Sequence, residues 1–221
     1  MVKWFASALA ALVLWTGSAY AQAEEQEVVD RARITVSSML SHPDFREARA
    51  QMRRAKGVIV IPSLVKGGFI LGGEGGSGVL LVRGRDGSWS NPSFVTMGAG
   101  SIGLQIGVQT AEVLFMIMTD KGLQSVMADE FKVGADASIA VGPMGAGVEA
   151  GTTANLRADI VSFSRTQGLF GGVSFEGSLI KPRGSWNERY YGRQVSVRDI
   201  VIERRVSNPG ADALRRALVV N

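Results

Sequence analysis

Two groups of glycines have the spacing of a dinucleotide-binding turn: Gly73, Gly75 and Gly78, then Gly98, Gly100 and Gly103. The G-x-G-x-x-G pattern works between a strand and a helix, where the helix N-terminus meets the pyrophosphate. The first group runs into Val79-Leu80-Leu81-Val82, a strand-like segment, so the helix it needs is missing. The second group is the better mimic: 94–97 can be the strand, 104–112 the helix, and Asp120 the acid that holds a ribose. Gly107 weakens that helix, and no regular βαβ series follows. The alternative function is thus a secreted NAD-dependent oxidoreductase built on Gly98, Gly100, Gly103 and Asp120. Neither group is a P-loop, because no Gly-Lys-Ser/Thr follows.

Other catalytic chemistry is scarce. The chain has no cysteine and one histidine, which removes thiol nucleophiles, cysteine zinc sites, disulfides and lipid anchors on cysteine. His42 sits beside Pro43 at a break between two helical patterns, where a turn or cap explains it. Asp129, Glu130 and Asp136 lack the dense alternation of oxygen ligands that a calcium loop needs. No catalytic residue, metal or cofactor is assigned. The remaining signal is cationic. Lys56, Lys66, Arg83, Arg165, Lys181 and Arg183 flank apolar strands at turns, where they can meet phosphate headgroups. They are the candidate lipid-headgroup residues.

The elements that must position them follow from composition and period. Hydrophobic residues make up 46% of 221 residues and charged residues 20%, enough apolar chain for one real core. Glycine is the outlier, with 28 residues lying between apolar runs, as many short strands joined by tight turns require. Lys3, an apolar run over 4–15 and Ala19-Tyr20-Ala21 read as a signal peptide over 1–21. The mature chain, 22–221, is then a single domain, periplasmic or secreted. Losing Lys3 lowers the net charge from +4 to +3, which suits an anionic membrane surface and is too weak to argue for nucleic acid.

Residues 24–40 form an amphipathic helix with Val29, Ala32, Val36 and Met39 on one side. A second helix starts at Pro43, with Phe45, Ala48 and Met52 inward and Arg46, Arg49, Arg53 and Arg54 as a basic face. From Gly57 the pattern turns to strands: 58–61, 69–71, 79–82, 94–97, 113–118, 138–141, 148–150, 160–163 and 173–180. A short helix interrupts them at 120–128, and 197–220 is helical again, broken at Pro209-Gly210. The fold class is α+β. N-terminal helices precede a Gly-rich, mostly antiparallel β core, sheet or barrel-like, and a C-terminal helical segment follows it.

An ordered set of segments then resembles the SYLF domain family. They include Ala55-Lys56-Gly57-Val58-Ile59-Val60-Ile61-Pro62, Gly72-Gly73-Glu74-Gly75-Gly76-Ser77-Gly78 and Asp86-Gly87-Ser88-Trp89-Ser90-Asn91-Pro92. Gly142-Pro143-Met144-Gly145, Ser164-Arg165-Thr166-Gln167-Gly168-Leu169-Phe170-Gly171-Gly172 and Tyr190-Tyr191-Gly192 continue the series. The similarity runs from about Val28 to Ile202. The resemblance implies a phospholipid-binding domain without catalytic activity, and it reads both glycine motifs as β structure. Fungal members are also described as actin-binding, and eukaryotic ones as binding phosphoinositides. An exported chain is not expected to meet either ligand. The leading function is therefore an exported, non-enzymatic phospholipid-binding domain at a membrane surface of the cell envelope.

Overall fold

The computed structural model describes residues 23–68, 71–102, 107–142, 158–167 and 175–220. Helix α1 spans 23–41 and buries the stripe Val29, Ala32, Val36 and Met39 that its period predicts. His42 ends it: its Nδ1 accepts the Asp44 backbone N–H at 3.2 Å and starts a single 3₁₀ turn, Pro43–Phe45. That turn leads into α2 (Arg46–Arg54), which buries Ala48, Gln51 and Met52.

Four long strands follow: β1 (Gly57–Gly68), β2 (Leu71–Val82), β3 (Ser93–Ile102) and β4 (Gly107–Ile117). Then come α3 (Asp120–Val126), β5 (Phe131–Lys132), β6 (Ile139–Val141), β7 (Ile160–Gln167), β8 (Leu179–Pro182), α4 (Gly184–Tyr191), α5 (Val197–Val201) and α6 (Asp212–Ala217). The strands form one sheet in the order β5-β8-β3-β2-β1-β4-β7-β6, antiparallel except for the β6–β7 pair. The expected α+β class with a mostly antiparallel β core is what the chain forms.

The sheet is covered on both sides at one end. On one face Val58, Val60, Val79, Leu81, Phe94, Leu114, Met116 and Phe163 pack under α1, α2, α4 and α6; this is the helix face. On the other face Ile59, Ile61, Leu80, Val82, Phe115 and Ile117 pack under α3, α5 and Phe131; this is the loop face. Burial on both faces explains why β1 and β4 read as continuous apolar runs rather than as alternating strands. Pro62 does not end β1 as its sequence suggests. The register slips between Val60 and Val65, a bulge that absorbs the missing N–H, and β1 goes on to Gly68.

Two further readings are corrected. The segment needed as a nucleotide-site helix, 104–112, falls from Gly107 onward in β4, paired with β1 from Gly68 to Gly57. Of the strand expected over 173–180, residues 173–174 lie outside the described residues and 175–178 are not strand, because Gly177 turns the chain at φ +82° and its N–H bonds to the Val133 carbonyl; β8 is Leu179–Pro182. The strand expected over 148–150 lies outside the described residues.

Candidate functional site: a bare strip of sheet beside Arg183

The six predicted headgroup cations do not converge. Lys56 and Lys66 lie toward opposite ends of β1, about 30 Å apart at strand rise. Arg165 on β7 and Lys181 on β8 stand five strands apart, about 24 Å. Most are also engaged. Lys56 Nζ is 2.6 Å from Asp120 Oδ2, so the residue proposed to hold a ribose pairs with a lysine instead. Lys181 Nζ is 2.6 Å from Glu130 Oε2.

Arg165 is a structural tie. Its Nε donates to Glu112 Oε2 at 2.6 Å, its Nη2 forms an ion pair with the same carboxylate, and its Nη1 donates to Ser38 Oγ at 2.6 Å. Thr35 Oγ1 donates to the other Glu112 oxygen at 2.8 Å, so α1 is fastened to β4 and β7 through one buried cluster. Arg83 fastens α2. Its Nη2 donates to the Met52 carbonyl at 2.6 Å while its guanidinium lies over the Trp89 ring at 4.6 Å. Burial holds its pKa below the usual arginine value. The Lys66 backbone lies in β1 opposite Glu74 and Gln109, and its side chain lies outside the described set.

Arg183 is different. It precedes α4 and stacks 3.4 Å from the centroid of Trp186, and its Nη1 donates to Ser77 Oγ at 2.8 Å. Among the described residues no carboxylate lies within ion-pair distance of it. Burial, and then the neighbouring charge of Arg189, lower its pKa, and the more distant carboxylates of Glu24 and Glu25 offset this only in part. The cation is therefore under-stabilised where it sits, and a bound anion would relieve it.

Beside Arg183 the helix face has no helix over it among the described residues. Continuing along β2 from Ser77 on that face come Gly75 and Gly73, with Gly98 and Gly100 opposite them on β3. Among the described residues, a Cβ added at Gly100 would meet nothing within 4 Å. At Gly75, Gly73 and Gly98 it would touch only strand carbonyls at 3.9, 3.7 and 3.6 Å. Val65 extends the strip onto β1, paired with Gly75 and 45% exposed. The result is a floor of backbone and one valine, edged by Leu179 on β8 and Thr110 on β4, with the guanidinium of Arg183 at its inner end. Charge does not mark this floor, but glycine spacing does: glycines two apart on a strand share a face.

The remaining candidates resolve into structural roles. An open depression of about 620 Å³ between α4 and α5 contains Asp199, which is engaged in a capping box with Ser196. Asp159 accepts from Thr119 Oγ1 at 2.6 Å and from Ser138 N and Oγ at 3.0 and 2.9 Å, joining α3, β6 and β7. The Thr119 bond, ahead of those from Ser138, brings its pKa down to about 2. No group of three or more metal-ligating side chains exists among the described residues.

Residues 98–220 match the family model described as Las17-binding protein actin regulator, Ysc84. Over 172 residues the chain is 34% identical to LAS seventeen-binding protein 3 of Saccharomyces cerevisiae, covering 76% of this chain and 37% of that protein. Over 149 residues it is 30% identical to SH3 domain-containing YSC84-like protein 1 of Homo sapiens, covering 67% of this chain and 43% of that protein. The chain spans less than half the length of these relatives. With the sheet, the helical cover and the ordered motifs in place, the chain belongs to the Ysc84 family, the SYLF-domain proteins its sequence resembles.

Proposed function

We propose that this domain is a non-enzymatic phospholipid-binding module working at a membrane surface of the cell envelope, periplasmic or secreted once residues 1–21 are removed. One observation carries the reading: Arg183, partly buried and with no carboxylate in ion-pair distance among the described residues, stands at the end of a strip of sheet that carries few side chains among those residues. A lipid phosphate satisfies the guanidinium with charge-assisted hydrogen bonds. The adjoining glycines let an acyl chain or glycerol backbone approach the sheet at van der Waals distance.

The test is a titration with a soluble short-chain phosphatidylglycerol, followed by tryptophan emission, because Arg183 stacks on Trp186. Saturable binding that Arg183→Gln abolishes is the expected result; binding unaffected by that change contradicts the reading. The oxidoreductase alternative has lost its strand–turn–helix, since β3 is followed by β4. A calorimetric titration with NADH at millimolar concentration should give no heat of binding. The printed names of the relatives concern Las17 binding and actin regulation. On the exported reading this chain meets neither.

A further inference from the structure

The strip accounts for one lipid, not for how the domain lies on a bilayer. Helix α2, REARAQMRR, carries four arginines and one glutamate. At 100° per residue, Arg46, Ala50, Arg53 and Arg54 share about 100° of arc, opposite the buried Ala48, Gln51 and Met52. Arg49 is withdrawn from this arc, its Nη1 donating to the Leu40 and His42 carbonyls at 2.6 and 3.1 Å.

The surface continues past the helix. Arg83 bonds the last turn of α2 and covers Trp89, whose Nε1 donates to the Leu218 carbonyl at 3.1 Å just after α6. The turn after Arg83 exposes Arg85, and α6 exposes Arg216 on the side away from the buried Leu214 and Leu218. Val219, 60% exposed, follows them. The acids nearby are engaged: Glu47 by Gln51 at 2.6 Å and Asp212 by Arg215 at 3.0 Å. Among the described residues, Arg46, Arg54, Arg85 and Arg216 have no such partner.

The geometry points to this outer side of α2 and α6, with Arg46, Arg54, Arg85 and Arg216 as its charges, as the surface on which the domain lies against an anionic phospholipid bilayer. It rests on the lipid reading above and adds the orientation. Both helices cover the helix face, so their outer sides look the same way as the bare strip. Unmatched guanidiniums attract anionic headgroups, and an exposed valine beside them enters the interface with little cost.

The experiment is flotation of the purified protein with vesicles of phosphatidylcholine alone or with 30 mol% phosphatidylglycerol, at low and high salt. The variant carries R46Q, R54Q, R85Q and R216Q together; far-ultraviolet dichroism and the melting temperature check that it folds. Wild-type binding should require phosphatidylglycerol and weaken with salt. The variant should lose at least about tenfold in partition and most of the salt dependence. It should keep its tryptophan response to soluble short-chain phosphatidylglycerol, because Arg183 and the strip are intact. A folded variant that floats like the wild type overturns the docking surface and leaves the lipid reading standing. A wild type that binds neither soluble lipid nor vesicles overturns both. Binding to duplex DNA as tight as binding to the anionic vesicles also overturns the docking surface.

Discussion

Strand β2 carries glycines on both of its faces, and they serve opposite purposes. Gly76 and Gly78 look to the loop face, where the β1 bulge leans over them. A Cβ on Gly76 would lie 2.6 Å from the Ser63 carbonyl, and one on Gly78 would overlap the Val60 carbonyl and the Ile61 side chain. These two are glycine because the packed sheet leaves no room. Gly73 and Gly75, on the helix face, meet only strand carbonyls at ordinary contact distance. Packing does not demand glycine there, yet each exposed glycine costs strand stability relative to a side chain. The first pair is explained by the fold; the second is what the proposed lipid site would account for.

Substitution separates the two sets most sharply at Gly78. Gly78→Ala should cost about 3 kcal/mol by overpacking against backbone that cannot move aside, read from urea denaturation. A loss below about 1 kcal/mol would mean the bulge relaxes and the comparison is weaker than drawn.

Next in size is the border where the cover ends. Glu112→Ala should cost about 2 kcal/mol, because it strands the half-buried Arg165 guanidinium and releases Thr35 of α1. Replacing Arg165 by Met in the same background should recover part of that loss, which a double-mutant cycle measures.

The packed end also has a pH signature. Asp159 titrates at about 2 when folded, against about 3.9 in an unfolded chain. Because the folded value is the lower one, its contribution is fully present above about pH 4 and disappears as pH falls through about 2. Between those values the denaturation midpoint of the wild type should fall more steeply than that of Asp159→Asn. Parallel slopes would remove Asp159 from the account.

The smallest stability effect belongs to the strip. Gly75→Ala should change stability by no more than about 0.5 kcal/mol. A large loss there would mean that packing holds the helix-face glycines too.

Much of the packed end was legible in the sequence. The stripe of α1, the inward Phe45, Ala48 and Met52, and the apolar runs of β1 and β4 all follow from period and length. Helix α4 was not legible. Its opening Gly184-Ser185 resembles a turn, and only the Trp186–Tyr190 spacing of four hints at a helix whose rings meet Phe94. The cation partners were hidden for a different reason. Glu112 reaches Arg165, Asp120 reaches Lys56 and Glu130 reaches Lys181 only after strand register and loop placement are set. Arg183 stands in the sequence with five others, but what distinguishes it, a place beside a floor of glycine with no ion-paired carboxylate among the described residues, exists only in three dimensions.

The central claim is that the helix-face glycines are kept bare for a lipid. Its most direct test is the short-chain phosphatidylglycerol titration repeated on the double variant Gly75→Gln and Gly100→Gln. Both positions have space, and glutamine covers the strip without adding charge. The account predicts a melting temperature within about 2 °C of the wild type and a dissociation constant raised at least about tenfold. A folded double variant that binds as tightly as the wild type would show that nothing lies on the strip.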